Sequence, residues 1–336
     1  MSMEKLLGKT IKHDITKSGG LVLVSAGSVL DRQQARLLAM HGVDASEVRV
    51  MGEVGSGNIR SEKMLEASER SKELFGRIGR DRKVPLIDIK VELLPFVQEA
   101  TEQSDVFQLF ESVKAKDEYT HQHNIGVAVL SLLIGKWMEL GETELALLSL
   151  AAVLHDVGKI RIPEHILLKP GPLTSEEFAE MKRHTVYGYE ILKDTVGLNP
   201  RVALVALQHH ERADGNGYPL RLTHNRIDPL SRIVAVADIF HAMSSARPYR
   251  EALPFHEVVF QMRKGSFGEL DPYVISVFLD NLIRHLIGRE VRLTDGRRGV
   301  VVYINPHDDL HPLVKIGDTF LDLSEGRNIH IEGIIL

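Results

Sequence analysis

Apolar and polar positions change their rhythm several times along this chain, and each rhythm predicts a different element set. Residues 1–58 read as a small α+β module. Residues 21–24 are a short β-rich run after Gly19 and Gly20, and Asp31 stands where an N-cap opens a helix through Met40, with Ala35, Leu37, Leu38 and Met40 as its apolar positions. Arg49 and Val50 resemble a returning strand, and Gly55, Ser56, Gly57 and Asn58 read as a linker. Residues 59–104 are charged and helical, with Met64, Leu65, Leu74, Phe75 and Ile78 near helical spacing, and read as a solvated helical connector.

Residues 105–286 predict helices almost throughout. The run 145–154 is apolar on every side, which marks a buried helix, and it is far shorter than the roughly 20 residues that cross a bilayer. Thr174, Ser175, Glu176 and Glu177 form a capping-box pattern, predicted to open a helix that carries His184 in mid-course. Residues 287–336 change to β-rich segments at 291–293, 299–304, 313–316 and 319–323. Asp295-Gly296, Asn305-Pro306 and Gly317-Asp318 separate them, as in a small antiparallel barrel. The expected fold is mainly α: an all-helical domain flanked by a small N-terminal α+β module and a small C-terminal β-barrel.

Composition narrows the chemistry. The chain has 336 residues, 43% hydrophobic and 26% charged, and no cysteine. Disulfides, thiolate nucleophiles, Cys-ligated zinc and iron–sulfur clusters are therefore excluded together. The absence of cysteine fits a reducing cytoplasm, and residues 1–10 contain no apolar stretch of secretory-leader length, so a cytoplasmic location is expected. Net charge is −5, without the basic excess of a protein that grips long nucleic acid. An anionic substrate would need bound cations or a few local side chains to attract it.

The candidate chemistry lies where polar residues interrupt apolar runs. His155 and Asp156 end the 145–154 run, followed by Val157, Gly158 and Lys159. A buried imidazole and carboxylate are costly unless paired or metal-bound, and a plain His–Asp hydrogen bond is the bland reading. His209, His210 and Glu211 end the run 202–207; successive helical residues point about 100° apart, so two such imidazoles suit two neighbouring ions. The bland reading there is one core histidine and one exposed. His123, His184 and Asp238 each stand in an apolar context, and each alone is more often a satisfied core group. Their recurrence tips the balance toward a shared metal site. Imidazole and carboxylate without sulfur suit iron or manganese first and zinc second. A bridging Asp would hold two divalent ions about 3.5–4 Å apart, an arrangement suited to phosphoester hydrolysis by a bridging hydroxide.

These residues resemble the HD-GYP branch of the HD phosphohydrolases. The resemblance runs through His155-Asp156-Val157-Gly158-Lys159 with Ile162-Pro163, through residues 209–219 from His209 to Pro219, and through Ala237-Asp238 to Arg247-Pro248-Tyr249-Arg250. It covers roughly residues 105–286. It implies an all-helical domain with a two- or three-metal site that hydrolyses cyclic di-GMP to linear pGpG and often on to GMP. It implies His123, His155, Asp156, His184, His209, His210 and Asp238 as metal ligands, with Asp156 bridging. Lys159 matches the lysine on the scissile phosphate, and Gly215, Gly217, Tyr218, Pro219 and Arg247 match the substrate side.

Three departures qualify the match. Tyr119 stands where some members carry a metal-binding Glu, so two metals are expected, with Tyr119 behind the ligands. His241 replaces a usual Asp three residues after Asp238. A position behind the ligands is favoured for it, with an extra ligand or a solvated side chain as the alternatives. Ala246 replaces a common acid. His121, two residues before His123, is read as surface. Two other functions stay open: an HD phosphohydrolase of another nucleotide, and a non-catalytic dinucleotide receptor or scaffold. A homodimer, or a regulator bound at either flanking module, is also open.

Overall fold

The computed structural model describes residues 6, 11, 15–16, 22–24, 28, 30–41, 43, 48, 56–102, 105–114, 119–245, 252–265, 268–305, 308–325 and 328–336. The chain forms two compact units, residues 1–61 and 62–336. In the first, β1 (Ile15–Thr16) pairs antiparallel with β2 (Val22–Val24), and α1 (Arg32–Met40) follows. Asp31 caps α1 as expected, with Gln34 N donating to its Oδ1 at 2.7 Å. The Gln34 side chain returns the bond to the Asp31 amide, a reciprocal cap that satisfies two orphan donors. Leu6, Ile11, Val24, Leu30, Leu38 and Val48 make this unit's core. The strand expected at Arg49–Val50 and the linker's Gly55 lie outside the described residues. Ser56, Gly57 and Asn58 are not a linker but the start of α2 (Ser56–Asp81).

The second unit contains the greater part of α2. Its Met64, Leu74, Phe75 and Ile78 are buried while Leu65 is exposed, so one face of α2 joins the core and the helix is not merely a solvated connector. Next come α3 (Leu86–Glu92), α4 (Leu94–Thr101), α5 (Val106–Val113), α6 (Tyr119–Trp137) and α7 (Glu142–Leu154). A 3₁₀ turn at Val157–Arg161 leads to α8 (Glu164–Leu167), α9 (Ser175–Lys182), α10 (His184–Leu192), α11 (Pro200–Gln208), α12 (Pro229–Ser244), α13 (Phe255–Gly265) and α14 (Pro272–Arg284).

Helices α6, α7 and α12 are apolar nearly all round and lie at the centre. Residues 125–134 of α6, 148–154 of α7 and 233–237 of α12 are almost all buried. The short connection between α6 and α7 makes them antiparallel neighbours, which brings the first turn of α6 beside the last turn of α7. Burying a helix on every side leaves its polar side chains facing other protein groups, so the same packing that builds the core concentrates imidazoles and carboxylates.

The C-terminal strands are β3 (Glu290–Leu293), β4 (Arg298–Asn305), β5 (Asp308–Ile316), β6 (Thr319–Asp322) and β7 (Ile331–Ile334). They form one antiparallel sheet in the order β6-β5-β4-β3-β7. Alternation places Val291, Leu293, Val301 and Val314 inward, where they join the helical core together with Leu323 and Ile331. The antiparallel sheet is as expected; the barrel is not, because among the described residues no pairing joins edge strands β6 and β7. No helix of the described residues is long and apolar enough to cross a membrane.

Candidate metal centre

Each ligand candidate is delivered by a helix end or a buried helix face. His155 is the C-cap of α7 and is fully buried; Asp156 follows it, 2% exposed, at the turn into Val157–Arg161. That turn packs against α10 at contact distance. A Cβ on Gly158 would fall 1.9 Å from the His184 carbonyl oxygen, so only glycine lets the two backbones meet.

The capping box forms as expected, with Glu177 N on Thr174 Oγ1 at 3.2 Å and Thr174 N on Glu177 Oε2 at 2.7 Å. Its helix does not carry His184 in mid-course, however. Helix α9 ends at Lys182, Arg183 closes it, and His184 is the first residue of α10. The His184 ring turns back to donate Nδ1–H to the Met181 carbonyl at 2.6 Å, satisfying an orphan acceptor at the end of α9.

His155 and His209 follow the same local rule. His155 Nδ1 donates to Ala152 O at 2.7 Å, and His209 Nδ1 to Ala206 O at 3.0 Å. Each ring therefore spends its Nδ1–H on a backbone carbonyl and turns a bare Nε2 inward. These nitrogens converge on one carboxylate. His184 Nε2 and His209 Nε2 lie 3.3 and 3.7 Å from Asp156 Oδ1; His155 Nε2 and His123 Nε2 lie 3.4 and 3.9 Å from Asp156 Oδ2. Asp238, on α12, places Oδ1 2.9 Å from His123 Nε2 and Oδ2 3.8 Å from His210 Nδ1. Two groups of candidate ligand atoms result: His123, His155 and Asp156, and His184, His209 and His210, so His209 and His210 share one group and do not serve two neighbouring ions as their spacing suggested.

The residues fit a cation on the structure's own terms. His155 Nε2 and Asp156 Oδ1 are buried and make no hydrogen bond. A buried acceptor without a partner costs roughly 1–3 kcal/mol, and a divalent ion relieves that cost. Burial pushes His123 and His210 below the ordinary imidazole range and His184 down to about 3, which keeps these rings neutral. Burial also acts to lower His155, but the Asp156 carboxylate against it wins and raises it. Burial would raise Asp156, yet Lys159 and then His155 hold it well below the usual carboxylate range; His123 does the same for Asp238. The centre thus offers neutral nitrogens at His123, His184 and His210 and ionised oxygens at Asp156 and Asp238.

The loop beside it is held by a residue to which sequence reasoning assigned no role. Glu211 is 4% exposed, and its two oxygens accept from the amides of Leu220 at 2.6 Å and Leu222 at 2.8 Å. Its place next to His209 and His210 was the available signal. Gly215 takes the left-handed φ of +77°, and a Cβ on Gly217 would sit 2.3 Å from Arg212 N. The Tyr218 ring packs against His210, tilted by 31° with centroids 4.8 Å apart, and Lys182 Nζ lies 5.8 Å from the Tyr218 ring. Lys159 pairs its ammonium with Asp156 Oδ2. His121 is not surface: it is half-buried, with Nδ1 3.3 Å from Ser71 Oγ and its ring against Phe75 on α2. Ala246, Arg247 and the Tyr119 side chain lie outside the described residues.

A model of the family described as HD domain matches residues 103–274. A cyclic di-GMP phosphodiesterase of Pseudomonas aeruginosa is 37% identical over 204 residues, covering 61% of this chain and 49% of that protein. A cyclic di-GMP phosphodiesterase of Thermotoga maritima is 42% identical over 185 residues, covering 53% of this chain and 50% of its own. A 3′3′-cGAMP-specific phosphodiesterase of Vibrio cholerae is 40% identical over 170 residues, covering 50% and 39%. The chain spans about half the length of the first two relatives.

Proposed function

This chain belongs to the HD domain family, and from that premise we propose that it is a metal-dependent phosphodiesterase of the HD-GYP type whose substrate is cyclic di-GMP. One observation carries the reading. Each oxygen of Asp156 faces its own set of imidazoles, Oδ2 toward His123 and His155 and Oδ1 toward His184 and His209. A carboxylate so placed is suited to bridge two cations, one completed by Asp238 and the other by His210. Iron or manganese suits this donor set best, and zinc is the next choice.

Divalent cations held by these residues would supply charge neutralisation and would lower the pKa of a water for attack on phosphorus. The chain's own groups do the rest. Lys159 is 21% exposed at the side-chain level and shares Asp156 Oδ2. Its ammonium, at the edge of the site, would meet a phosphate oxygen as a point charge. Tyr218, steadied on His210, offers an aromatic face at the mouth of the site. Gly215, Gly217 and Pro219 shape that loop, and Arg247 completes the substrate side. The expected products are linear pGpG and, by a second cut, GMP.

The relatives named for 3′3′-cGAMP favour a second reading, in which the site prefers a mixed cyclic dinucleotide. Anaerobically prepared protein loaded with Fe²⁺ or Mn²⁺ is assayed against cyclic di-GMP, 3′3′-cGAMP and pGpG, with Asp156→Ala as control. Turnover of cyclic di-GMP, lost in the control, supports the first reading. Faster turnover of 3′3′-cGAMP moves the assignment to the second. Binding without any turnover would overturn both in favour of a receptor.

A further inference from the structure

His241 is 1% exposed, and both of its ring nitrogens have partners. Nε2 lies 2.8 Å from the Val113 carbonyl oxygen, and Nδ1 lies 3.0 Å from Nδ1 of His123. A carbonyl oxygen only accepts, so Nε2 of His241 carries the proton. When that ring is neutral its Nδ1 carries no proton, and the hydrogen bond then forms only if His123 donates Nδ1–H to it. The proton is then absent from His123 Nε2, the atom that lies 2.9 Å from Asp238 Oδ1 and 3.9 Å from Asp156 Oδ2, so the relay competes with a hydrogen bond from Nε2 to Asp238 and prevails when a cation takes Nε2. One backbone carbonyl therefore sets the direction of the whole chain of bonds.

The surroundings are built for this ring. Val113 is the last residue of α5, where carbonyls have no partner within the helix. Gly126 lies one turn beyond His123 on α6. A Cβ there would fall 2.2 Å from His241 Nε2 and 3.0 Å from the Val113 oxygen. Any larger residue at 126 drives the ring off its carbonyl.

We propose that His241 is a positioning residue for the metal centre: through the relay from the Val113 carbonyl to His241 to His123, it holds His123 as the Nδ1–H tautomer and presents Nε2 to the cation shared with His155, Asp156 and Asp238. This inference rests on the two-cation reading above. Groups that hydrogen-bond a ligating imidazole from behind typically contribute about 10–100-fold in metal affinity.

The test is calorimetric titration of Mn²⁺ into the metal-free full chain, for the wild type, His241→Phe, His241→Asn and Gly126→Ala. His241→Phe keeps the ring and removes both bonds; it weakens one Mn²⁺ equivalent by about 10–100-fold and leaves the other unchanged. In His241→Asn the amide oxygen takes the place of Nδ1, and affinity returns to within a few-fold of wild type. Gly126→Ala, which touches neither imidazole's chemistry, weakens the same equivalent. Independently of any variant, ¹⁵N shifts of histidine-labelled wild type loaded with diamagnetic Zn²⁺ put the proton on Nδ1 of His123 and on Nε2 of His241. Wild-type affinity for both equivalents in His241→Phe, or a proton on Nδ1 of His241, overturns the relay and leaves the phosphodiesterase reading standing. A wild type that binds no Mn²⁺ overturns both.

Discussion

The two halves of the candidate metal centre, His123 with His155 and His184 with His209 and His210, do not orient their imidazoles by the same means. His155, His184 and His209 each reach back to a carbonyl three residues earlier, at the end of a helix that has just finished. Their orientation is local, because a helix C-terminus always leaves carbonyls in need of a donor. His123 sits just past the first turn of α6, where the preceding carbonyls are committed to the helix that is starting. It takes its partner from α12 instead, 118 positions away. The half with His184 and His209 is oriented by neighbouring residues, whereas the half with His155 and His123 depends, through His123, on how α5, α6 and α12 pack. The contrast says that His123 depends on distant residues that look unrelated to chemistry, while the other three do not.

The largest effect falls on the group common to both halves. Asp156→Ala removes both cation equivalents, measured by elemental analysis, and lowers turnover by about a thousandfold or more. Next, His123→Ala and His184→Ala separate the halves: each retains one equivalent, and neither retains more than about 1% of activity. If either loses both, the halves are one cooperative site and the comparison fails.

Gly158→Ala attacks the local half through the backbone. Its methyl meets the His184 carbonyl, and urea unfolding should show a loss of about 3 kcal/mol together with a loosened His184-side cation.

Acid probes the neutral imidazoles. His184, held near 3 when folded, binds its proton more readily when unfolded, so its contribution to stability is complete above about 6.5 and is lost as pH falls toward 3. In chelator, the stability at pH 5 should lie roughly 2 kcal/mol below that at pH 7 from this group alone. His123 and His210 act in the same direction, and His155, which is raised, in the opposite one. An apo stability that rises on acidification would show that His155 dominates. The smallest effect comes from Thr174→Ala, which removes the α9 cap at a cost of about 1 kcal/mol and leaves metal content unchanged.

Much of this was legible along the chain. Three helices apolar on every side have to be buried, and polar residues at their ends have to meet something, so His155, Asp156 and Asp238 were readable as a constellation. The capping box and the Asp31 cap were readable because they are contacts across three residues. The break after Lys182 was not, since no proline or glycine marks it; the chain turns there and the His184 ring closes the end of α9. Sheet closure was equally hidden, because alternation reports which side of a strand is buried and not which strands lie at an edge.

Residue types and their spacing along buried helices determined that imidazoles and carboxylates would gather and what chemistry they suit. Only the tertiary structure decided which oxygen of Asp156 meets which ring, and that a carbonyl on α5 directs a histidine on α6 through one on α12. The reason is physical. Helical periodicity fixes direction within one element, but a hydrogen bond between elements requires distances and ring orientations that exist only once the core has packed.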